Sequence, residues 1–299
     1  MKKVAIFGQT YTVNADKEIK ILLTSLEKYN VVAFFEESFY NVLKEHGHLA
    51  KKYPTFSNFK DLNNSFDLFF SLGGDGTMLR AVTYVRDLGI PILGINTGRL
   101  GFLANIQKNE IAESIDLLIA KEYTIQERTL LSIKTSPEIE IFDELSFALN
   151  EITIARQNTT SMIGVKTYLN NEYLTNYWSD GLIIATPTGS TGYSLSCNGP
   201  VISPDSKSLV ITPIAPHNLN ARPMVIPDNT SLTLEVDSRE KSFLISLDSR
   251  ITSVPKNTKI YLQKSPFTIK SIIPSNQSFL TTLRTKLLWG EDTRNESNL

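Results

Sequence analysis

The chain has 299 residues, with 30 Lys+Arg against 31 Asp+Glu, a formal net charge of -1, and hydrophobic and charged fractions of 41% and 20%. That length permits one large domain or two ordinary ones, and the composition excludes a mainly disordered chain. The near-zero charge argues against a general nucleic-acid or membrane-surface binder, and the single cysteine, Cys197, excludes an internal disulfide framework and a Cys-built metal site.

In chain order, the N-terminal apolar run Val4-Ala5-Ile6-Phe7 is too short for a signal peptide, which needs roughly 7–15 apolar residues. No stretch approaches the ~18 apolar residues of a membrane span. A cytoplasmic location is therefore expected. Val4–Gly8 reads as a short buried strand, and Ile19, Leu22, Leu23 and Leu26 place a helix over 16–29. A second strand is expected over 31–35, a helix with Phe39, Val42 and Leu43 over 39–49, and a fully apolar strand over 66–72 that runs into Gly73-Gly74. A short helix over 77–87 and a strand over 90–95 complete the pattern. Such alternation favours a mostly parallel sheet with flanking helices, an α/β domain over 1–124.

Beyond residue 125 the segments 127–135, 145–156, 163–170, 181–186, 208–214, 231–237, 242–247, 258–263 and 267–273 are short, rich in Ile, Val, Thr, Leu and Tyr, and separated by turn residues. They predict an all-β domain over 125–270. Phe279, Leu283 and Leu287 fall at i, i+4 and i+8, so 277–289 reads as an amphipathic helix. Within a C-terminal segment 271–299 it is expected to pack back on the first domain, ahead of a frayed polar tail over 291–299.

The strongest local signal is Ser71-Leu72-Gly73-Gly74-Asp75-Gly76-Thr77, between an apolar strand and a helix. Glycines admit positive φ and close ligand approach, and the helix N-terminus suits phosphate. In an open α/β sheet this is the ligand-binding end of a strand. The same residues also fit a plain strand-to-helix turn with Asp75 as N-cap. The loop is neither a Walker A sequence nor G-x-G-x-x-G.

Three further stretches stand out. Asn150-Glu151 interrupts an apolar strand, as a ligand-facing pair or as an edge position. Asp180-Gly181 precedes an apolar run that leads into Thr188-Gly189-Ser190-Thr191-Gly192-Tyr193-Ser194-Leu195-Ser196. This hydroxyl-rich loop can donate to phosphate or ribose and offers the Tyr193 ring to a base, or it is an ordinary loop. Ala215-Pro216-His217 lies in a Pro-rich turn, where a lone His is commonly structural.

Together these stretches resemble bacterial NAD kinases over nearly the whole chain. The resemblance rests on Gly73-Gly74-Asp75-Gly76-Thr77, Asn150-Glu151, Ser179-Asp180-Gly181, Thr191-Gly192-Tyr193-Ser194-Leu195-Ser196, Pro216-His217 and Leu283–Trp289. It implies a site between the two domains and transfer of the γ-phosphoryl group of ATP to the 2′-hydroxyl of the adenosine ribose of NAD, giving NADP. It also implies a divalent cation, with Mg²⁺ the expected one, and a homotetramer or homodimer. By position, Asp75 is implied as the base, and Gly74 and Gly76 lie near ribose and phosphate. Arg80 meets a phosphate. Asn150 and Glu151 grip the adenosine ribose and adenine side, and Asp180 the nicotinamide end. Thr188, Thr191, Gly192, Tyr193, Ser194, Leu195 and Ser196 belong to the adenine and ribose loop, and Ala215 and His217 flank the ligand. The family often has Ala where Gly192 stands. It commonly shows Asp-Gly-Gln where this chain has Asp248-Ser249-Arg250, which leaves the role of Arg250 open. A lipid kinase with the same Gly-Gly-Asp-Gly-Thr loop and a non-catalytic NAD(H)-binding sensor are the competing readings.

Overall fold

The computed structural model describes residues 1–9, 16–98, 101–104, 106–142, 144–158 and 161–288. In chain order the first elements are β1 (Lys3–Gly8), α1 (Asp16–Lys28), β2 (Val32–Glu36), α2 (Glu37–Glu45), β3 (Thr55–Phe56), β4 (Leu68–Gly73), α3 (Asp75–Val85), β5 (Ile92–Asn96), α4 (Ile111–Ala120) and β6 (Tyr123–Arg128). Then follow β7 (Leu131–Ser136), β8 (Phe147–Ala148), β9 (Glu151–Ala155), β10 (Ile163–Leu169), β11 (Glu172–Ser179), β12 (Gly181–Ala185), α5 (Tyr193–Ser196) and β13 (Ser208–Ile214). The chain ends with β14 (Met224–Pro227), β15 (Leu232–Asp237), β16 (Ser242–Leu247), β17 (Arg250–Pro255), β18 (Lys259–Lys264), β19 (Ile269–Pro274) and α6 (Phe279–Leu287). Two compact units result, one of Met1–Gln126 with Ile269–Leu299 and one of Glu127–Thr268.

The first unit is built on a seven-stranded sheet in the order β3-β2-β1-β4-β5-β19-β6. Strands β1 to β5 pair in parallel, and β19 joins β5 in parallel through Ser271 and Ile92. Side chains alternate across the sheet. Val4, Ile6, Leu68, Phe70, Leu72, Leu93 and Ile95 share one core with Ile19 and Leu22 of α1 and Ile111 and Ile115 of α4. On the opposite face Phe7 and Phe69 pack their rings on Tyr84 of α3, and Phe56 closes the cluster. The strand order reverses between β1 and β4, so their carboxyl ends, Gly8 and Gly73, flank a topological switch point.

In the second unit two six-stranded antiparallel sheets, β11-β10-β15-β18-β7-β8 and β14-β13-β12-β9-β16-β17, enclose one core. That core includes Ile133, Val165, Leu234 and Leu262 from the first and Ile154, Leu182, Ile211 and Phe243 from the second. This is a sandwich built from the inward residues of both sheets.

The α/β class, the β-rich second part and the C-terminal helix agree with the sequence reading. Ser278 caps α6 by accepting from Thr281 N at 3.1 Å, and Phe279 packs on Phe102 at 6.4 Å within the first unit. Trp289 and the tail over 291–299 lie outside the described residues.

Other elements differ. The segment 127–135 is two strands in two sheets, β6 and β7, and 145–156 is likewise split into β8 and β9. The expected strand over 267–273 forms as β19 in the first unit's sheet. The helix expected over 39–49 ends at Glu45, where the His46 N–H closes on Val42 O and Lys44 O. Strands β11, β14 and β17 were not expected. Each lies at a sheet edge: in β11 and β17 half-exposed polar residues blur the apolar pattern, and β14 is only four residues long and mostly exposed.

Candidate active site

In the first unit, the apolar β4 delivers the chain to Gly73, whose φ of 152° lies in a region that favours glycine. A Cβ there would also overlap the Thr77 side chain. Gly74 and Gly76 have neither positive φ nor any neighbour that a Cβ would meet. Of the two uses expected of the glycines, positive φ falls to Gly73, while Gly74 and Gly76 leave space above the loop. Gly74 is the N-cap of α3, and Asp75 is its first helical residue.

The Asp75 carboxylate is already engaged. Oδ2 accepts from Phe102 N at 2.8 Å, and Oδ1 accepts from Leu103 N and Ala104 N at 3.0 Å each. A carboxylate has about four lone-pair sites, so one site on Oδ2 remains for a further donor. Gly101 is required for this embrace, since a Cβ there would overlap Asp75 Oδ1. Asn96, buried at the end of β5, accepts from Gly98 N at 2.7 Å and donates to Ala104 O at 3.2 Å, which fixes the return of the same loop. Arg80 lies exposed one turn along α3.

In the second unit the break between β8 and β9 is made by a second carboxylate. Asp248 accepts from Leu149 N (3.0 Å), Asn150 N (2.8 Å) and Glu151 N (3.2 Å). Its own N–H returns to Glu151 O at 3.0 Å. Arg250 stands 4.0 Å from Asp248 and donates to Leu145 O at 2.7 Å and to Phe147 O. The role left open for Arg250 is thus to hold the strand that precedes Asn150.

The loop after β12 closes over this turn. Thr186 N donates to Asn150 O at 2.9 Å and Thr186 Oγ1 to Leu149 O at 2.6 Å. A Cβ on Gly189 would overlap Asn150 O, and one on Gly192 would lie 3.0 Å from Glu151 Oε2 and 3.3 Å from Asn150 Nδ2. The Tyr193 backbone N–H lies close enough to the Glu151 carboxyl to favour its ionised form slightly. Asn150, Glu151, Thr188, Thr191, Gly192 and Tyr193 are thereby gathered in one place. Asn150 Oδ1, Glu151 Oε2 and Thr188 Oγ1 are buried there without a partner among the described residues. Buried polar atoms are normally satisfied, so three such atoms on one turn and the loop that covers it stand out.

Burial and the neighbouring Asp248 push the Glu151 carboxyl up to about 8. Burial also pushes Asp248 up, opposed by its three N–H donors and Arg250. Tyr193 is raised by burial and by the charges of Cys197, Asp180 and Glu151.

The remaining expected residues lie elsewhere in this unit. Ser194 turns into the interior, 2.8 Å from Thr212 Oγ1 and fully buried. Leu195 is half-buried and Ser196 exposed. Asp180 pairs with Arg156 at 2.8 Å. Ala215 takes φ 43°, and His217 is exposed with its N–H on Trp178 O at 2.8 Å. Sequence reasoning missed the Gly101–Ala104 loop, Arg156 and the organising role of Asp248. The Asn-Thr-Gly turn after β5 was the one local signal for the first of these.

A glycine loop at a switch point, an acceptor carboxylate with one free site and a second unit with orphaned polar atoms describe a phosphotransferase that handles a nucleotide. The ATP-NAD kinase N-terminal domain model matches residues 5–123 and the C-terminal domain model residues 149–274. The chain is 55% identical over 293 residues to the NAD kinase of Flavobacterium psychrophilum, covering 98% of this chain and all of that one. It is 42% identical to the NAD kinase of Bacteroides fragilis, covering 98% and 99%. The chain belongs to the ATP-NAD kinase family. In fold it is similar to yeast NADH kinase complexed with NADH, at a TM-score of 0.87 and 22% identity over 99% of this chain and 89% of that one. It is also similar to an NAD kinase from Archaeoglobus fulgidus in complex with ATP, at 0.74 and 23% over 96% and 98%.

Proposed function

We infer that the protein transfers the γ-phosphoryl group of ATP to the 2′-hydroxyl of the adenosine ribose of NAD, giving NADP. Family membership over the whole chain supports this reaction over a lipid kinase or a non-catalytic sensor. The observation that carries the site is the group of buried, partnerless atoms on Asn150, Glu151 and Thr188. In this reading Asn150 and Glu151 take the adenosine ribose, Thr188, Thr191 and Gly192 line the same pocket, and the half-exposed Tyr193 ring meets the base. Asp180 serves the nicotinamide end with its carboxylate oriented by Arg156, and Ala215 and His217 lie at the ligand's flank. Ser194 supports the loop from behind, and Leu195 and Ser196 complete its turn.

Asp75 accepts the 2′-hydroxyl proton through the remaining site on Oδ2 as the new P–O bond forms. Phosphoryl transfer depends on positioning and charge stabilisation, so the three amides that fix Asp75 contribute by orienting it. The open space over Gly74 and Gly76 and the N-terminus of α3 receive phosphate, with Arg80 as a charged donor. Among the described residues no cluster of three or more His, Cys, Asp or Glu is placed for a metal ion. Mg²⁺ commonly keeps several waters beside substrate phosphate oxygens, a donor set that ATP itself supplies. Such an ion would neutralise charge on the phosphates. No helix among the described residues is long and apolar enough to cross a membrane. A cytoplasmic homotetramer or homodimer completes the reading.

The test is ATP-dependent formation of NADP from NAD by the purified protein, read with an NADP-specific dehydrogenase. Absence of NADP with ATP and Mg²⁺ present overturns the reading.

A further inference from the structure

Glu151 Oε2 is buried, has no partner and points beside Gly192 at the edge of the orphaned polar group. The charged and titratable groups around it are unevenly matched. Asp248, beyond β16, holds three backbone N–H donors and stands 4.0 Å from Arg250 of β17. Glu151 has only the nearby backbone N–H of Tyr193 of α5 to favour its ionised form. Tyr193 itself feels Cys197 and Asp180, and Asp180 is answered by Arg156. Two buried carboxylates side by side cannot both stay ionised cheaply, and the one with fewer donors keeps the proton.

We propose that Glu151 meets NAD as a neutral acid, its Oε2 donating a hydrogen bond to an acceptor on the adenosine half, a ribose oxygen or a ring nitrogen of adenine. The ligand's pyrophosphate is anionic and the product gains a further phosphate. An ionised Glu151 would add like charge beside both, and it could not donate. The proton thus gives Glu151 the hydrogen-bond polarity that a nucleotide acceptor needs. The raised pKa, about 8, places the loss of that proton just above neutral pH. NAD affinity is then expected to fall about tenfold per pH unit above pH ~8, and to be flat below pH ~7. The inference rests on reading Asn150-Glu151 as part of the NAD site.

The experiment is calorimetry of NAD binding to the full chain in pairs of buffers that differ in protonation enthalpy. At pH ~8 the wild type should take up about half a proton per NAD bound, and at pH ~6 almost none. Glu151→Gln should bind NAD without uptake and without the alkaline loss of affinity. NAD binding with no uptake at pH ~8, or the same uptake in Glu151→Gln, overturns the proposal while leaving the site reading intact. Failure of NAD to bind at any pH overturns both. Infrared spectroscopy of the wild type needs no variant: addition of NAD at pH ~8 should strengthen a carboxylic acid carbonyl band, and an unchanged spectrum on saturation refutes the neutral acid.

Discussion

Replacing Glu151 with Gln should stabilise the free protein, and by an amount that grows with pH. The carboxyl is raised from 4.5 to about 8 by burial and by Asp248. A carboxylic acid whose folded value exceeds its unfolded value binds more protons folded than unfolded, so stability declines as pH rises from the unfolded value to the folded one. Each unit is worth about 1.4 kcal/mol. The cost is thus about 1 kcal/mol near pH ~5.5, about 3 kcal/mol near pH ~7, and levels off at about 5 kcal/mol beyond pH ~8. Gln keeps the shape and the donor of the neutral acid and has no proton to lose. Urea unfolding of both proteins at several pH values between ~5 and ~8, without nucleotide, measures the gap directly. A gap that stays constant across that range, or that narrows as pH rises, refutes the assignment of the strain to Glu151.

Other changes separate chemistry from scaffolding. Asp75→Asn should lower turnover by about 10²–10⁴-fold, and amide exchange at residues 102–104 should quicken because one carboxylate oxygen becomes a donor facing an N–H. Gly101→Ala should lower kcat without touching the substrate, by pushing on Asp75 Oδ1; an unchanged kcat would show that the carboxylate tolerates displacement. Asp248→Ala orphans three backbone N–H groups and should cost at least about 3 kcal/mol in urea unfolding. Arg128 is buried, with Nε lacking a partner and its pKa pulled down to about 10 by burial. Arg128→Met should therefore raise the stability read from urea unfolding by about 1 kcal/mol or more; a lowered stability would contradict a guanidinium whose burial is poorly compensated.

What could be read in the sequence was what is local. Val4–Gly8 and Leu68–Gly73 are apolar runs, interrupted only by Ser71, because both faces of their sheet are covered, and such runs announce themselves. The glycine loop and the hydroxyl-rich loop stood out for the same reason: their chemistry lies in consecutive residues. Asp248 did not, because its work is done on amides 97 to 99 positions away, and no spacing rule reaches that far. Asn150-Glu151 looked like a blemish in one strand, whereas it is the turn between two, held open by that distant carboxylate. The Asp75 clamp spans only 27 to 29 residues but links a helix start to a loop of unremarkable composition. Edge strands such as Glu172–Ser179 escaped because their polar, half-exposed residues satisfy no burial pattern.

The strand order of the first sheet has a consequence in time. Ile269–Pro274 lies between β5 and β6, although β6 is translated more than a hundred residues earlier. As the chain is synthesised, β6 has no neighbour to pair with in this sheet until the whole of Glu127–Thr268 has left the ribosome. The sandwich, being one uninterrupted stretch, can condense first. The sheet that presents Gly73 and Asp75 is completed last, so its final strand is added only after every residue of the Asn150 turn has been synthesised.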